Sequence, residues 1–206
     1  MSTDKNQPIA AENRRPKAGE LTREAVTECA TDLFLRNGYE ATGVGAIAAE
    51  LGITKAAIYH HVPSKETLLN SAIDAALEAL DEVIARCRQL DAPAGEKVRF
   101  LARGTAIALC QQPKNVALLL RLRGNTPAQL QALERRRAYT AYTQELLGLC
   151  AAEGSLNPDI NPAVGSRILF GAINSTVEWY DPQGAMSPEE LANTIELILL
   201  NGFLKS

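Results

Sequence analysis

Between residues 22 and 63 the chain runs three times through one short cycle: a hydroxyl residue, an apolar face at helical spacing, then a glycine or proline stop. Thr22 caps a first helix that should run to about Asn37, with Val26, Ala30, Leu33 and Phe34 on one face. Gly38 is expected to close it in the left-handed conformation. A second helix starts after Thr42, aligns Val44, Ile47, Ala48 and Leu51, and ends at Gly52. A third begins at Thr54 and ends near His61, before Pro63. Gly52 permits the positive φ that a sharp turn between helices demands, and Ile53 and Ile58 are placed to hold the third helix on the second. Short amphipathic helices joined by "LGI" are the outline of a helix-turn-helix. In that motif the start of the last helix, here Thr54, Lys55, Ala56 and Ala57, enters the major groove of DNA.

Composition agrees with helices throughout. Of 206 residues, 46% are hydrophobic, 5% aromatic and 22% charged; alanine and leucine abound and β-branched alternation is scarce. The expected fold class is all-α, with about nine helices. The formal net charge is −3, with eight basic and eight acidic residues up to residue 65, and 13 basic against 16 acidic beyond it. A uniformly basic coat is excluded, so DNA binding must rest on local placement of Lys and Arg. No apolar run reaches the ~18 residues of a membrane span, and the polar start has no signal-peptide core, so a cytoplasmic protein is expected. Cys29, Cys87, Cys110 and Cys150 lack metal spacing and are expected as small core residues.

Residues 1–20 are expected to be a disordered arm. Their "NRRPK" is either a solvated tail or a strand that touches phosphates or the minor groove. Ser64 caps a long fourth helix to about Leu90, and a fifth runs from Glu96 to Gln111. "NVALLLRLR" makes a short sixth, and Thr126 with Pro127 opens a seventh that runs to Glu153. Pro162 opens an eighth to Tyr180, and Ser187, Pro188 and Glu190 form a capping box for the ninth.

The segment "LTREAVTECATDLFLRNGYEATGVGAIAAELGITKAAIYHHVPSKETLL" resembles the TetR family of transcriptional regulators. The ordered pattern "A..LF...G...T.V..IA...GI....IY.H...KE.L" is intact. It departs at Ala56, where glycine is common at or near the position, and at Val62, where an aromatic is common; the smaller Val62 should loosen the joint between the third and fourth helices. The last two helices look like those of the subgroup that regulates acyl-CoA and sterol catabolism. The resemblance implies a head at 21–65 that binds a palindromic operator in double-stranded DNA, and a body at 66–206 that binds a small effector and forms a homodimer. Regulation without catalysis, cofactor or metal follows, with repression favoured.

His60 and His61 would suit a metal only if both faced one ion. Neighbours on a helix point about 100° apart, and no third histidine exists. No nucleophile accompanies them in the motif. The resemblance instead turns this edge toward phosphates: Tyr59 and His60 donate hydrogen bonds, and Lys65 and Thr42 contribute from the starts of their helices. His61 is open between packing on the first helix and facing DNA. Lys55 is open between a guanine edge and a phosphate, while Ala56 and Ala57 suit thymine methyls.

For the effector, the walls are expected from Leu101, Thr105, Leu109, Leu119, Leu122, Tyr139, Tyr142, Leu146, Phe170, Asn174 and Trp179, a lining for a lipophilic molecule with a polar end. Arg103, Arg121 and Arg123 are candidates for its acid or phosphate. Arg135, Arg136 and Arg137 splay around their helix and read as a solvated, ion-paired face. Dimerisation is expected through Leu191, Ile195, Ile198, Leu199 and Leu200 with Gly165, Gly171, Ala172 and Ser175. Two rival classes are a small all-α enzyme, for which no nucleophile and base converge, and a helical module that has lost DNA binding. Against the second stand Lys55, Tyr59, His60 and Lys65.

Overall fold

A computed structural model describes residues 21–201, and among them the chain forms nine α-helices and no strand. The arm expected at 1–20 lies outside the described residues. The helices are α1 (Arg23–Asn37), α2 (Val44–Leu51), α3 (Lys55–His61), α4 (Lys65–Gln89), α5 (Ala94–Gln111), α6 (Pro113–Leu120), α7 (Pro127–Ala152), α8 (Pro162–Ser175) and α9 (Pro188–Ile195). Side-chain caps set most of their starts. Thr22, Thr54, Ser64 and Thr126 each accept the N–H three residues on, at 3.1–3.3 Å. Ser187 and Glu190 complete the capping box. At Gly52 φ is 68° and ψ is 31°, the left-handed turn that joins α2 to α3.

Three local expectations need correction. Gly38 has φ 85° with ψ 149°, positive but extended, so α1 leaves through a glycine-only region rather than a left-handed helical one. α2 starts from Gly43 with no side-chain cap. α8 stops at Ser175 and tightens into a 3-10 turn, Thr176–Glu178, whose first hydroxyl binds back to the Ile173 carbonyl at 2.7 Å.

α5 is the spine of the body, packed on α4, α7, α8 and α9, with Leu101 and Leu109 fully buried. α1 packs on α2, α4 and α6, so the first three helices are fastened to the body by two elements. Val62 is buried at the joint with α4 despite its small size. Cys87, Cys110 and Cys150 are buried and Cys29 half-buried, all as free thiols; burial, with nearby acidic charge, pushes the Cys29 thiol up to about 11.

The end of the described chain changes pitch. Leu191, Ala192 and Ile195 face the core at α-helical spacing. Glu196–Leu200 is then a π turn. A five-residue step carries the inward face from Ile195 to Leu200 and turns Leu197 and Ile198 outward, at 65% and 69% exposed. Arg99 and Arg103 hold Glu196 at 3.1 and 3.2 Å from α5.

Candidate functional site

Two sites stand out: an exposed edge on α3, and a cavity in the body.

Ile58 is fully buried and anchors α3, so its opposite face is free. Lys55, Ala56, Tyr59 and His60 are exposed there, and Thr54 and Ala57 border them. These residues share one edge as the sequence implies. Lys55 is also guided from below. A Cβ on Gly45 of α2 would lie 2.5 Å from the Lys55 Cε, so the end of the lysine stem lies against α2 at Gly45 and would have to shift if a side chain stood there. Nothing in the sequence pattern had drawn attention to Gly45. His61 is half-buried and close to Glu24 of α1. The Glu24 carboxyl is lowered chiefly by a backbone N–H and the Thr22 hydroxyl, with Arg23 and His61 as lesser causes.

Two of the proposed phosphate donors are placed otherwise. Thr42 is buried; its hydroxyl donates to the Gly38 carbonyl at 2.8 Å and its N–H to Tyr39 at 3.2 Å, so it locks the loop rather than reaching outward. Lys65 donates to the Tyr39 carbonyl at 2.9 Å and sits 4.1 Å above the Tyr39 ring. Its ammonium ties the start of α4 to the α1–α2 loop.

The cavity, about 240 Å³, lies among α4, α5, α6, α7 and α8. Six of the expected wall residues meet there: Thr105, Leu109, Leu119, Tyr139, Phe170 and Asn174. Tyr139 and Thr105 share a 2.7 Å hydrogen bond, and Tyr139 meets Phe170 edge to face at 5.1 Å between centroids. Burial pushes the Tyr139 hydroxyl above the usual tyrosine range. The other five expected residues are elsewhere. Leu101 and Leu146 are solid core. Tyr142 lies under Arg88 at 4.8 Å and donates to the Cys87 thiol. Leu122 lines a groove beside the end of α1. Trp179, beyond the 3-10 turn, is 58% exposed.

The remaining walls come from Leu80, Val116, Leu120, Leu133, Arg136, Arg137 and Thr140. Each arginine nominated to hold an anion is absent from them. Arg103 is bound to Glu196 and Asn193, Arg121 donates to the Leu35 carbonyl at 2.8 Å, and Arg123 lies on the groove beside α1. Of the arginine triplet, Arg135 is ion-paired with Asp81 and Asp74 on α4, as a solvated face requires. Arg136 and Arg137 border the cavity instead.

α6 links the two sites. Val116, Leu119 and Leu120 form cavity wall. At its start Lys114 pairs with Asp32 of α1 at 2.7 Å. Just past its end, Arg121 satisfies Leu35, one of the last carbonyls of α1, which have no partner inside the helix.

The expected dimer band is divided. Leu191, Ile195, Leu200 and Gly165 are buried within the chain and serve its own core. Outward stand Val164, Ile168, Gly171 and Ser175, at helical spacing on α8, with Leu197 and Ile198 on the π turn; Ala172 and Leu199 are half-buried beside them. No helix among the described residues is long and apolar enough to cross a membrane.

This arrangement has counterparts. Residues 26–72 match the model of the bacterial regulatory proteins of the tetR family, and residues 91–203 match the tetracyclin repressor-like C-terminal domain. The HTH-type transcriptional repressor KstR2 of Mycolicibacterium smegmatis is 26% identical over 194 residues, covering 89% of this chain and 91% of that one. A TetR transcriptional regulator family member from Streptomyces coelicolor A3 has a crystal structure with a TM-score of 0.81 and 34% identity, over 90% of this chain and 94% of that one. AibR, in complex with isovaleryl coenzyme A and operator DNA, gives a TM-score of 0.69 at 26% identity, over 86% and 98% of the two chains. With both its helix-turn-helix and its helical body matched in order, the chain belongs to the TetR family of bacterial transcriptional regulators.

Proposed function

We propose that the chain is a cytoplasmic, homodimeric repressor released from a near-palindromic operator by a small, mostly apolar effector. Residues 21–65 are its DNA-reading head and residues 66–206 its effector-binding and dimerising body. Lys55, Ala56 and Ala57 read bases, and Thr54, Tyr59 and His60 position the head on phosphates. The observation that carries this reading is the placement of α6, with one side in the cavity wall and both ends fastened to α1. A molecule that expands the cavity displaces α6 and, through Lys114 and Arg121, tilts the head. Such coupling is typically worth about 1–3 kcal/mol. It supplements a path along α4, which also borders the cavity at Leu80. The AibR complex, which holds an acyl-coenzyme A and operator DNA together, supports two ligands acting on one such chain.

A second copy of the chain is the partner for the outward apolar stripe of α8 and the π turn, which together suit a four-helix bundle. Catalysis is not part of this reading: among the described residues no His, Asp, Glu or Cys lines the cavity.

The test is selection of tight-binding duplexes from a random pool by the full chain. The expected product is an inverted repeat with half-sites about one helical turn apart, ~34–36 Å, or somewhat more. No enrichment over the starting pool overturns the DNA-reading assignment. A monomer in sedimentation at micromolar concentration overturns the dimer.

A further inference from the structure

We propose that the cavity is built for a free carboxylic acid of about nine heavy atoms, whose carboxylate binds Arg136. This rests on the effector-controlled reading above and narrows its ligand.

Size comes first. A cavity of ~150 Å³ accommodates benzene, so the 240 Å³ here corresponds to roughly nine heavy atoms. A whole coenzyme A thioester is far larger, and only its acyl end would be enclosed.

Charge decides the rest. Consecutive helix positions turn by about 100°, so Arg135, Arg136 and Arg137 point three ways. Arg135 goes to its aspartates on α4. Arg137 is exposed and borders the cavity. Arg136 is half-buried, and burial lowers its pKa from that of an ordinary arginine. It cannot shed its charge, and a buried charge without compensation is costly. Among the described residues it has no acidic partner. Of its five N–H donors, one is used among the described residues, on the neutral carbonyl of Leu119 at 3.2 Å.

The neighbouring polar groups do not favour a neutral ligand. Both hydroxyl protons are already used within the protein: Thr105 donates to the Leu101 carbonyl at 2.7 Å and so accepts from Tyr139. What the chamber offers beyond apolar wall is a half-buried guanidinium and the Asn174 amide, which has no hydrogen-bond partner among the described residues. A carboxylate accepts a charge-assisted, two-point bond from guanidinium that a carbonyl cannot match. Bound there through the remaining N–H groups of Arg136, it sits on the same guanidinium that holds Leu119, the next-to-last residue of α6. Arg121, which holds the Leu35 carbonyl of α1, follows two residues on. Capture of the acid thus acts on the end of α6 where it meets the head.

Calorimetric titration of the full-length protein tests this without an operator, using matched pairs: hexanoate and 1-hexanol, octanoate and 1-octanol, 3-phenylpropanoate and 3-phenyl-1-propanol. Octanoyl-coenzyme A is a further arm. In at least one pair the acid should bind ten-fold or more tightly than its alcohol. Arg136→Gln should erase that preference, Arg136→Lys should keep part of it, and Arg137→Gln should change it less than three-fold. The proposal is overturned if no acid binds, if alcohols match acids in every pair, or if the preference survives Arg136→Gln. Octanoyl-coenzyme A binding more tightly than octanoate overturns the free-acid assignment. If Arg136→Gln fails to melt cooperatively, the decision passes to Arg136→Lys and the pairs on the unmodified protein. Failure here leaves duplex selection intact, and failure of duplex selection leaves these affinities intact, so the two readings fall separately.

Discussion

The reading edge and the cavity are made in opposite ways. The edge comes from one helix of seven residues, oriented by neighbours within a dozen positions: Gly45, Gly52, Thr54 and the buried Ile58. The cavity draws its walls from five helices between Leu80 and Asn174. Its shape therefore depends on how each long helix is rotated about its own axis. A locally built site tolerates changes far away and fails on a single nearby substitution. A site assembled at long range responds to anything that moves one of its helices, which is the property a regulated cavity needs. α6 is where the two designs meet.

The largest effect should come from the surface that brings two heads together. Ile198→Arg is expected to dissociate the dimer at micromolar concentration and lower affinity for a selected duplex by 100-fold or more, with little change in the melting of the chain. Sedimentation velocity, calorimetry and anisotropy check the three parts. Leu200→Arg, a buried position two residues on, should instead unfold the body. If both variants behave alike, the division of that turn into outward and inward faces is wrong.

Within the head, Lys55→Ala should cost about 1–3 kcal/mol on the selected duplex, roughly 5- to 150-fold, and relax the sequence preference at one position. Equal loss on all sequences would make Lys55 a phosphate contact. Lys65→Ala separates structure from contact. Because its ammonium is spent on Tyr39, stability should fall by about 1.5–3 kcal/mol in denaturant titration, with the salt slope of DNA binding unchanged. A slope lower by about one would restore Lys65 to the phosphates. The smallest effect is expected at Gly45→Ala. The helix gains about 0.5–1 kcal/mol, while displacement of the Lys55 stem weakens sequence preference several-fold. Unfolding and competition binding measure both halves.

Much of the head was legible because its signals are local. Thr22, Thr54 and Ser64 cap as their positions in the sequence imply, and Gly52 turns as a glycine between two helices should. The inward bonds of Thr42 and Lys65 are not legible in the sequence, because their residue types suit an N-cap or a phosphate contact equally well as an inward lock. Only the path of the loop, which brings the Gly38 and Tyr39 carbonyls to them, decides between these. In the body, apolar residues occur on several sides of α7, since it touches α4, α5 and α8. No stripe in its sequence marks which side holds the cavity, so Leu133, Arg136 and Thr140 went unrecognised while Tyr139, an aromatic, stood out. The ninth helix misled for a different reason. A period of 3.6 puts Ile198 and Leu199 with Leu191 and Ile195, and the π turn breaks that period.

Coupling of the cavity to the head through α6 is most directly measured by a double-mutant cycle on operator affinity. Thr140→Phe fills the cavity as a ligand would, and Arg121→Ala cuts the bond to the Leu35 carbonyl. Anisotropy titrations of a selected duplex with the four proteins give the interaction energy. Coupling through α6 predicts that Thr140→Phe lowers affinity ten-fold or more with Arg121 present. With Arg121→Ala the same change should lose most of its effect, an interaction energy of at least about 1 kcal/mol. An equal loss of affinity from Thr140→Phe in both backgrounds would contradict it.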